Sequence, residues 1–219
     1  MSAYDTLFGN CQESAILGCM SESTSAVPAS LRSVTRASVR DHVAEQAMRL
    51  FDERGFDSTT VDDIAAAVGM SSRSFFRYFP AKEDVVLGDP APFGQVVRDA
   101  AAGRPAGEPV WTVLRRAFDP VEANTAEATE SGLRTMRVMM STASLRAGNL
   151  EKHIAWASML EPVIVIRLDG PEGSVQFRAQ TLIHAALSCL DVALAEWTRR
   201  DGATPVGQLL DEAFATVRG

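Results

Sequence analysis

The chain has 219 residues, 46% hydrophobic and 22% charged, an ordinary globular balance with enough apolar material for a sizeable core. No apolar run approaches the ~20 residues of a membrane span, and a formal charge of −7 excludes a surface that is basic everywhere. Three cysteines, Cys11, Cys19 and Cys189, lack metal-ligand spacing and point to a reducing, cytoplasmic compartment with no structural disulfide.

Residues 1–32 are rich in Ser, Ala and Thr without a sustained period and are expected to form a disordered tail. Asp5 and Glu13 stand where a secretory signal would place basic residues, and Met20 offers an alternative start. From Arg36 the pattern turns helical: Val39, Val43, Ala47, Leu50 and Phe51 recur at spacings of three and four, and Gly55 supplies a left-handed stop. Thr60, three residues before Asp63, predicts the cap of a second helix that runs from Val61 through Val68, with Gly69 at the turn. Ser71 or Ser72 caps a third helix that finishes near Phe79, because Pro80 disfavours helical geometry in the residue before it.

Two short helices joined by a turn containing glycine outline a helix-turn-helix. Ile64, Val68, Met70, Phe75 and Tyr78 fall where the two helices must face each other, with small Ala65 at their closest approach. Within "FFRYF", Phe75 and Phe79 share the buried side, four apart, which leaves Phe76 and Arg77 outward. With Ser72, Arg73 and Ser74 one turn earlier they make a set suited to a major groove: Arg pairs bidentately with guanine, Ser with several base edges, an aromatic with a thymine methyl. Tyr78 and Lys82 are placed to reach phosphates.

After "LGDPAPFG" prolines divide an Ala-rich region into helices expected at Gly94 to Ala102, Glu108 to Phe118, Val121 to Arg146, Leu150 to Leu168, Glu172 to Arg199 and Pro205 to Val217. "PVIVIRL" is β-branched enough to suggest a strand, but no partner strand is visible and helix is the reading kept. Trp111, Phe118, Met136, Met139, Met140, His153, Trp156 and Met159 offer flexible thioethers and large rings to an apolar ligand, or serve as ordinary core. Arg134 and Arg137 share the helix from Val121 and are candidates for a pocket mouth. Leu182, Ala186, Leu190, Leu194 and Trp197, with Leu210 and Phe214 from the last helix, present more apolar surface than one internal face requires, so a homodimer interface is expected there. His42, His153 and His184 are dispersed, no HxxxH or CxxC occurs, and no nucleophile stands in a motif with a base, so neither an enzyme, a metal site nor a cofactor is expected.

The stretch "RLFDERGFDSTTVDDIAAAVGMSSRSFFRYFPAKEDVV" resembles the N-terminal DNA-binding domain of TetR-type transcriptional regulators, a likeness that covers Arg36 to about Leu87. It implies an all-α fold, with a three-helix helix-turn-helix domain at 33–88 and a C-terminal helical domain for effector binding and dimerisation at 89–219. It also implies base contacts at Ser72, Arg73 and Ser74, with Thr60 or Val61 close to the duplex, and phosphate contacts at Phe76, Arg77, Tyr78 and Lys82. Arg77 stands where an aromatic is common in relatives, so a base contact and a phosphate contact are both open to it. The implied function is a sequence-specific regulator, a homodimeric repressor released from a palindromic double-stranded DNA operator by a small molecule. An activator of the same family and a ligand-independent DNA-binding protein are the alternatives. Some relatives with FRYFP-type domains sense acyl thioesters of coenzyme A, so the effector is expected to be apolar or acyl-coenzyme A-like. From Arg32 to Lys82 eight basic side chains meet seven acidic ones, so attraction to DNA rests on local geometry more than on a broad field.

Overall fold

The computed structural model describes residues 31–127 and 129–219, which form eleven helices with no strand among them. The expected tail, with Cys11, Cys19 and Met20, lies outside the described residues as far as residue 30. Leu31 already belongs to α1, Leu31–Arg54, so this helix starts earlier than the apolar repeat indicated. α1 buries Val43, Ala44, Ala47, Met48 and Phe51 at three- and four-residue spacings, against Phe56, Ile64, Phe75 and Phe79.

α2 spans Val61–Ala67 and opens on a reciprocal capping box. Thr60 Oγ1 accepts the Asp63 amide at 3.1 Å, while Asp63 Oδ2 accepts the Thr60 amide at 2.8 Å. Those bonds from Thr60 hold the Asp63 carboxyl below its ordinary range. Gly69, at φ +70°, makes the turn that an L side chain would strain. α3 is only Ser72–Phe75, capped by Ser71, whose hydroxyl accepts the Ser74 amide at 3.2 Å. The expected helix to Phe79 thus resolves into one short helix and a chain of turns, with the Tyr78 and Phe79 amides both donating to the Phe75 carbonyl. α4, Asp84–Leu87, opens on Asp84, whose carboxylate reaches back to accept the Ala81 amide at 2.7 Å.

The second half holds α5 (Pro90–Ala102), α6 (Val110–Arg116), α7 (Asp119–Glu127), α8 (Thr129–Ser141), α9 (Ala143–Val165), α10 (Glu172–Arg199) and α11 (Val206–Arg218). α5 begins four residues before the expected Gly94 because Asp89 caps the Ala91 amide at 2.9 Å and Pro90 sits at the first helical position. The division expected between Arg146 and Leu150 is not there. The chain breaks at Thr142 instead, whose extended backbone (φ −127°, ψ 158°) and hydroxyl accept the start of α9 at Leu145, and α9 then runs unbroken through Gly148 and Asn149. Pro162 is exposed on α9 and does not end it, so "PVIVIRL" is helical through Val165.

α9 packs against α5 and α10, α10 against α11, and α8 against α1, which gives one continuous core through both halves. Trp156, Phe93, Phe118, Leu114, Leu145, Leu160 and Ile164 are among its fully buried side chains. Each such burial contributes roughly 1.5–3 kcal/mol before the ordering entropy is set against it.

Candidate nucleic-acid interface and effector domain

Around α3 the hydroxyls and the cations behave differently. Ser72 Oγ donates to Asp62 in α2, Ser74 and Ser71 share a hydroxyl contact at 3.0 Å, and Thr60 Oγ1 donates to Asp63 at 2.6 Å. The Ser72–Asp62 bond crosses between the two short helices, and the other two cap one helix each. Arg73, Phe76 and Arg77 project outward, Phe76 being 52% exposed while its ring edge rests on the buried Phe75 ring at 5.6 Å. Val61 and Tyr78 are half-buried at the rim. The structure therefore brings the nine residues expected at DNA onto two adjoining helices and the turn after them, with one whose side chain turns inward.

That one is Lys82. Its ammonium donates to the carbonyls of Phe56 (2.7 Å) and Thr59 (2.9 Å) and lies 4.1 Å from the centre of the Phe56 ring. Two of its three donors thus tie down the loop between α1 and α2, a structural role that sequence reading did not expect of Lys82. Sequence reading also missed Arg36 and Arg40. Arg36 Nη2 donates to the Arg77 carbonyl at 3.0 Å and sits 5.7 Å from the Tyr78 ring centre, and Arg40 lies 4.8 Å from that of Phe79. Both stand on the face of α1 toward the FFRYF turn, and their four-residue spacing was the available signal.

Two side-chain contacts join this head to the second half: Arg134 of α8 meets Asp52 of α1 at 3.4 Å, and Leu87 at the end of α4 packs over Gly148 of α9, where a Cβ would collide with its Cδ1. Just beyond the head, Trp156 Nε1 of α9 donates to the Pro90 carbonyl at the start of α5 at 2.8 Å. Arg134 and Arg137, expected near a pocket mouth, are instead held by carboxylates: Arg134 by Asp52, and Arg137 by Asp201 of the turn after α10 at 3.5 Å.

The eight residues considered for a ligand pocket do not form one site. Trp111 and Phe118 pack with Phe214 between α6, α7 and α11, and Trp111 Nε1 donates to the Phe214 carbonyl at 3.0 Å. Met136 and Met139 are buried in α8, whereas Met140 is exposed on the outer side of α10 and α11. His153, Trp156 and half-buried Met159 lie together on α9, and only these adjoin a partly buried polar cluster whose Asp191 side chain is 46% exposed. There Asn149 Nδ2 donates to Asp191 Oδ1 of α10 at 3.1 Å, and His153 Nδ1 lies 3.3 Å from Asp191 Oδ2. Lys152, 6% exposed, places its ammonium 5.1 Å from the Trp156 ring centre. Burial, reinforced by electrostatic repulsion from neighbouring Lys152 and His184, pushes the His153 imidazole down to about 4 although Asp191 lies beside it. Burial likewise takes Lys152 down to about 8, opposed by Asp191, and raises Asp191. Asn149 Oδ1 is buried without a hydrogen-bond partner among the described residues. Sequence reading found His153 and Trp156 but not Asn149, Lys152 or Asp191; polar residues on the buried stripe 149, 152, 153, 156 were the missed sign.

The expected dimer face is corrected too. Ala186, Leu190, Leu194, Trp197, Leu210 and Phe214 are each less than 5% exposed within the single chain, and Leu182 is half-buried, so they form the seam between α10, α11 and the core. A stripe chosen by apolar content alone picks the inward side of an amphipathic helix. The outward side carries Ala185, Ser188, Val192 and Ala195 of α10 with Ala213, Thr216 and Val217 of α11, around an open apolar groove of about 960 Å³. Val192 and Val217 are 64% and 58% exposed there.

No helix among the described residues is long and apolar enough to cross a membrane. Residues 44–88 match the family of bacterial regulatory proteins of the tetR type, and residues 108–219, half of the chain, match the MftR C-terminal domain. A protein of Mycobacterium tuberculosis named as a mycofactocin biosynthesis transcriptional regulator, MftR, is 26% identical over 83% of this chain and 90% of its own. The HTH-type transcriptional regulator TcmR of Streptomyces glaucescens is 29% identical over 74% of each chain. Among solved structures, the transcriptional regulator FadR of Bacillus subtilis in complex with stearoyl-CoA shares the fold at a TM-score of 0.56 and 15% identity, covering 82% of this chain and 97% of that one. With an all-helical fold, a helix-turn-helix head and these matches across both halves, the chain belongs to the TetR family of bacterial transcriptional regulators and is a DNA-binding regulator, not an enzyme.

Proposed function

We propose that the protein is a homodimeric, cytoplasmic repressor, released from a palindromic operator by a small molecule bound in residues 89–219, with residues 33–88 as the reading head. The observation that carries the reading is the joint. The head is tied to the second half through Leu87 on Gly148 and Asp52 on Arg134; the first of these lies on α9 beside the stripe of Asn149, Lys152 and His153, and Trp156 one turn further along α9 holds the start of α5, just after the head. A ligand that repacks this stripe shifts α4 and with it the separation of the two heads. To switch the protein it must favour the spread state by a few kcal/mol.

In this reading Arg73 reads a base with Ser72 and Ser74 beside it, Thr60 and Val61 approach the duplex from α2, and Phe76, Arg77 and Tyr78 line the backbone. The outward groove of α10 and α11 is the dimer face, since exposed Val192 and Val217 gain by being covered and two heads must reach successive grooves roughly 34–36 Å apart. An apolar acid or an acyl-coenzyme A compound is the effector class. A buried lysine suits an anionic group and the surrounding Trp156 and Phe93 suit a chain, and a neighbour of the same fold holds stearoyl-CoA.

Selection of sheared host genomic DNA by the purified protein, with sequencing of what is retained, tests the core of the proposal. A near-palindromic site should be enriched and should then be released by members of an acyl-coenzyme A panel. Enrichment of a single, asymmetric half-site would rule out the symmetric dimer, and an operator complex indifferent to the whole panel would remove the acyl-coenzyme A class.

A further inference from the structure

Arg36 lies outside the helix-turn-helix, one and a half turns into a helix whose other visible task is to supply core. Its guanidinium is nonetheless fixed against the DNA-reading segment: Nη2 donates to the Arg77 carbonyl at 3.0 Å, and the group lies 5.7 Å from the Tyr78 ring centre. Arg36 and the neighbouring Arg77 side chain are both exposed. Among the described residues no carboxylate stands within 4.0 Å of Arg36, Arg40, Arg73 or Arg77. A guanidinium has five N–H donors in a rigid fork, and the Arg77 carbonyl engages one of them. In a chain of net charge −7 with many paired arginines, Arg36 is fixed in place beside the outward Arg77 with donors to spare for an anion from outside the molecule.

We infer that Arg36 is a phosphodiester contact: α1 extends the DNA-binding surface past the reading helix, and Arg36 grips the backbone of the duplex beside the bases that α3 faces. The Arg77 carbonyl and the Tyr78 ring hold the fork ready, so little rotamer freedom is lost when the phosphate arrives. Arg40 has a different task. It is half-buried over the Phe79 ring and secures the end of the turn from which Arg77 projects.

The alternative is that Arg36 merely clamps the turn, and salt separates the two. Affinity for a mixed-sequence duplex and for the selected operator is measured by fluorescence anisotropy for wild type, Arg36→Gln and Arg36→Lys, from about 50 to about 200 mM salt. Arg36→Gln should weaken both duplexes alike. Its plot of log affinity against log salt should be shallower by about 0.9 per subunit, so that across this range a wild-type dimer loses about tenfold more affinity than the variant does. Arg36→Lys keeps a positive charge and should keep the wild-type slope, with a modest loss in affinity. A wild-type slope in Arg36→Gln, or a loss confined to the operator, overturns the inference and leaves a clamp only. Should Arg36→Gln melt before it can be titrated, Arg36→Lys decides alone: a slope shallower than wild type contradicts a charge-based contact.

Discussion

Two arginines show how differently the halves of this molecule treat charge. Arg115 in the second half is 7% exposed and enclosed by acceptors: Asp211 at 2.6 Å, Asp119 at 2.9 Å, the Gly207 carbonyl at 3.1 Å and Glu122 at 3.6 Å. It staples α6 and α7 to α11. Arg77 in the head is exposed and faces no carboxylate within 4.0 Å among the described residues, as do Arg36 and Arg73. Elsewhere in the second half Arg104 pairs with Glu108 at 2.6 Å, and Arg199 and Arg200 share Glu196 at 2.6 Å each. Arg115 is therefore structural because the chain supplies its acids, whereas Arg36, Arg73 and Arg77 are left available for recognition. Total charge conceals this division, because −7 is a sum over both halves.

The contrast breaks most readily at its buried end. Arg115→Ala should destabilise the fold by up to about 3 kcal/mol, since it removes a buried guanidinium and its charged hydrogen bonds, although the three carboxylates left behind are 43–65% exposed and regain water. Chemical denaturation that finds a loss near zero would mean the network is ornamental. Next comes acid: the His153 imidazole stays neutral down to about 4 in the folded chain, against 6.5 when unfolded, so the unfolded state binds the proton first. Stability should fall as pH drops from 6.5 toward 4, by up to about 3 kcal/mol. His153→Phe should flatten that part of the profile, and an identical slope in the variant would place the acid response elsewhere.

Arg73→Ala should leave the melting temperature unchanged and cost about 1–3 kcal/mol on the true operator, with a smaller loss on mixed-sequence DNA; equal losses on both would reduce Arg73 to a backbone contact. Val192→Arg should shift the protein toward monomer in sedimentation while leaving its circular dichroism intact, and a fully dimeric variant would move the interface off the outward groove. The smallest effect belongs to the joint. Arg134→Ala removes a half-exposed pair with Asp52 that contributes ~0.2–1 kcal/mol to stability, so its consequence should appear in effector response instead.

Much of the head could be read from residues one after another, because its signals are local. Thr60 with Asp63, Gly69, and Phe75 with Phe79 each define a cap, a turn or a buried pair within a few positions. The second half is less legible for physical reasons. Gly148 looks like a breaker in isolation, yet it lies mid-helix beneath Leu87, from more than sixty positions away, and Thr142 supplies the real cap. The side of α10 that faces outward was misjudged because Ala, Val and Leu occur on both sides, and only α11 and the core decide which stripe is covered. Lys82 gave no hint of its inward turn, since its acceptors are main-chain carbonyls that a sequence does not display.

Leu87 resting in the hollow over Gly148 also bears on how the molecule moves. The hollow is bounded along α9 by the side chains three and four positions away, Ser144 and Leu145 on one side and Glu151 and Lys152 on the other, because neighbours on one face of a helix recur at that spacing. α9 therefore cannot glide beneath α4 by degrees without lifting Leu87 out of its seat. The contact works as a catch, and Gly148→Ala would set a Cβ against the Leu87 Cδ1 and oblige that side chain to turn aside.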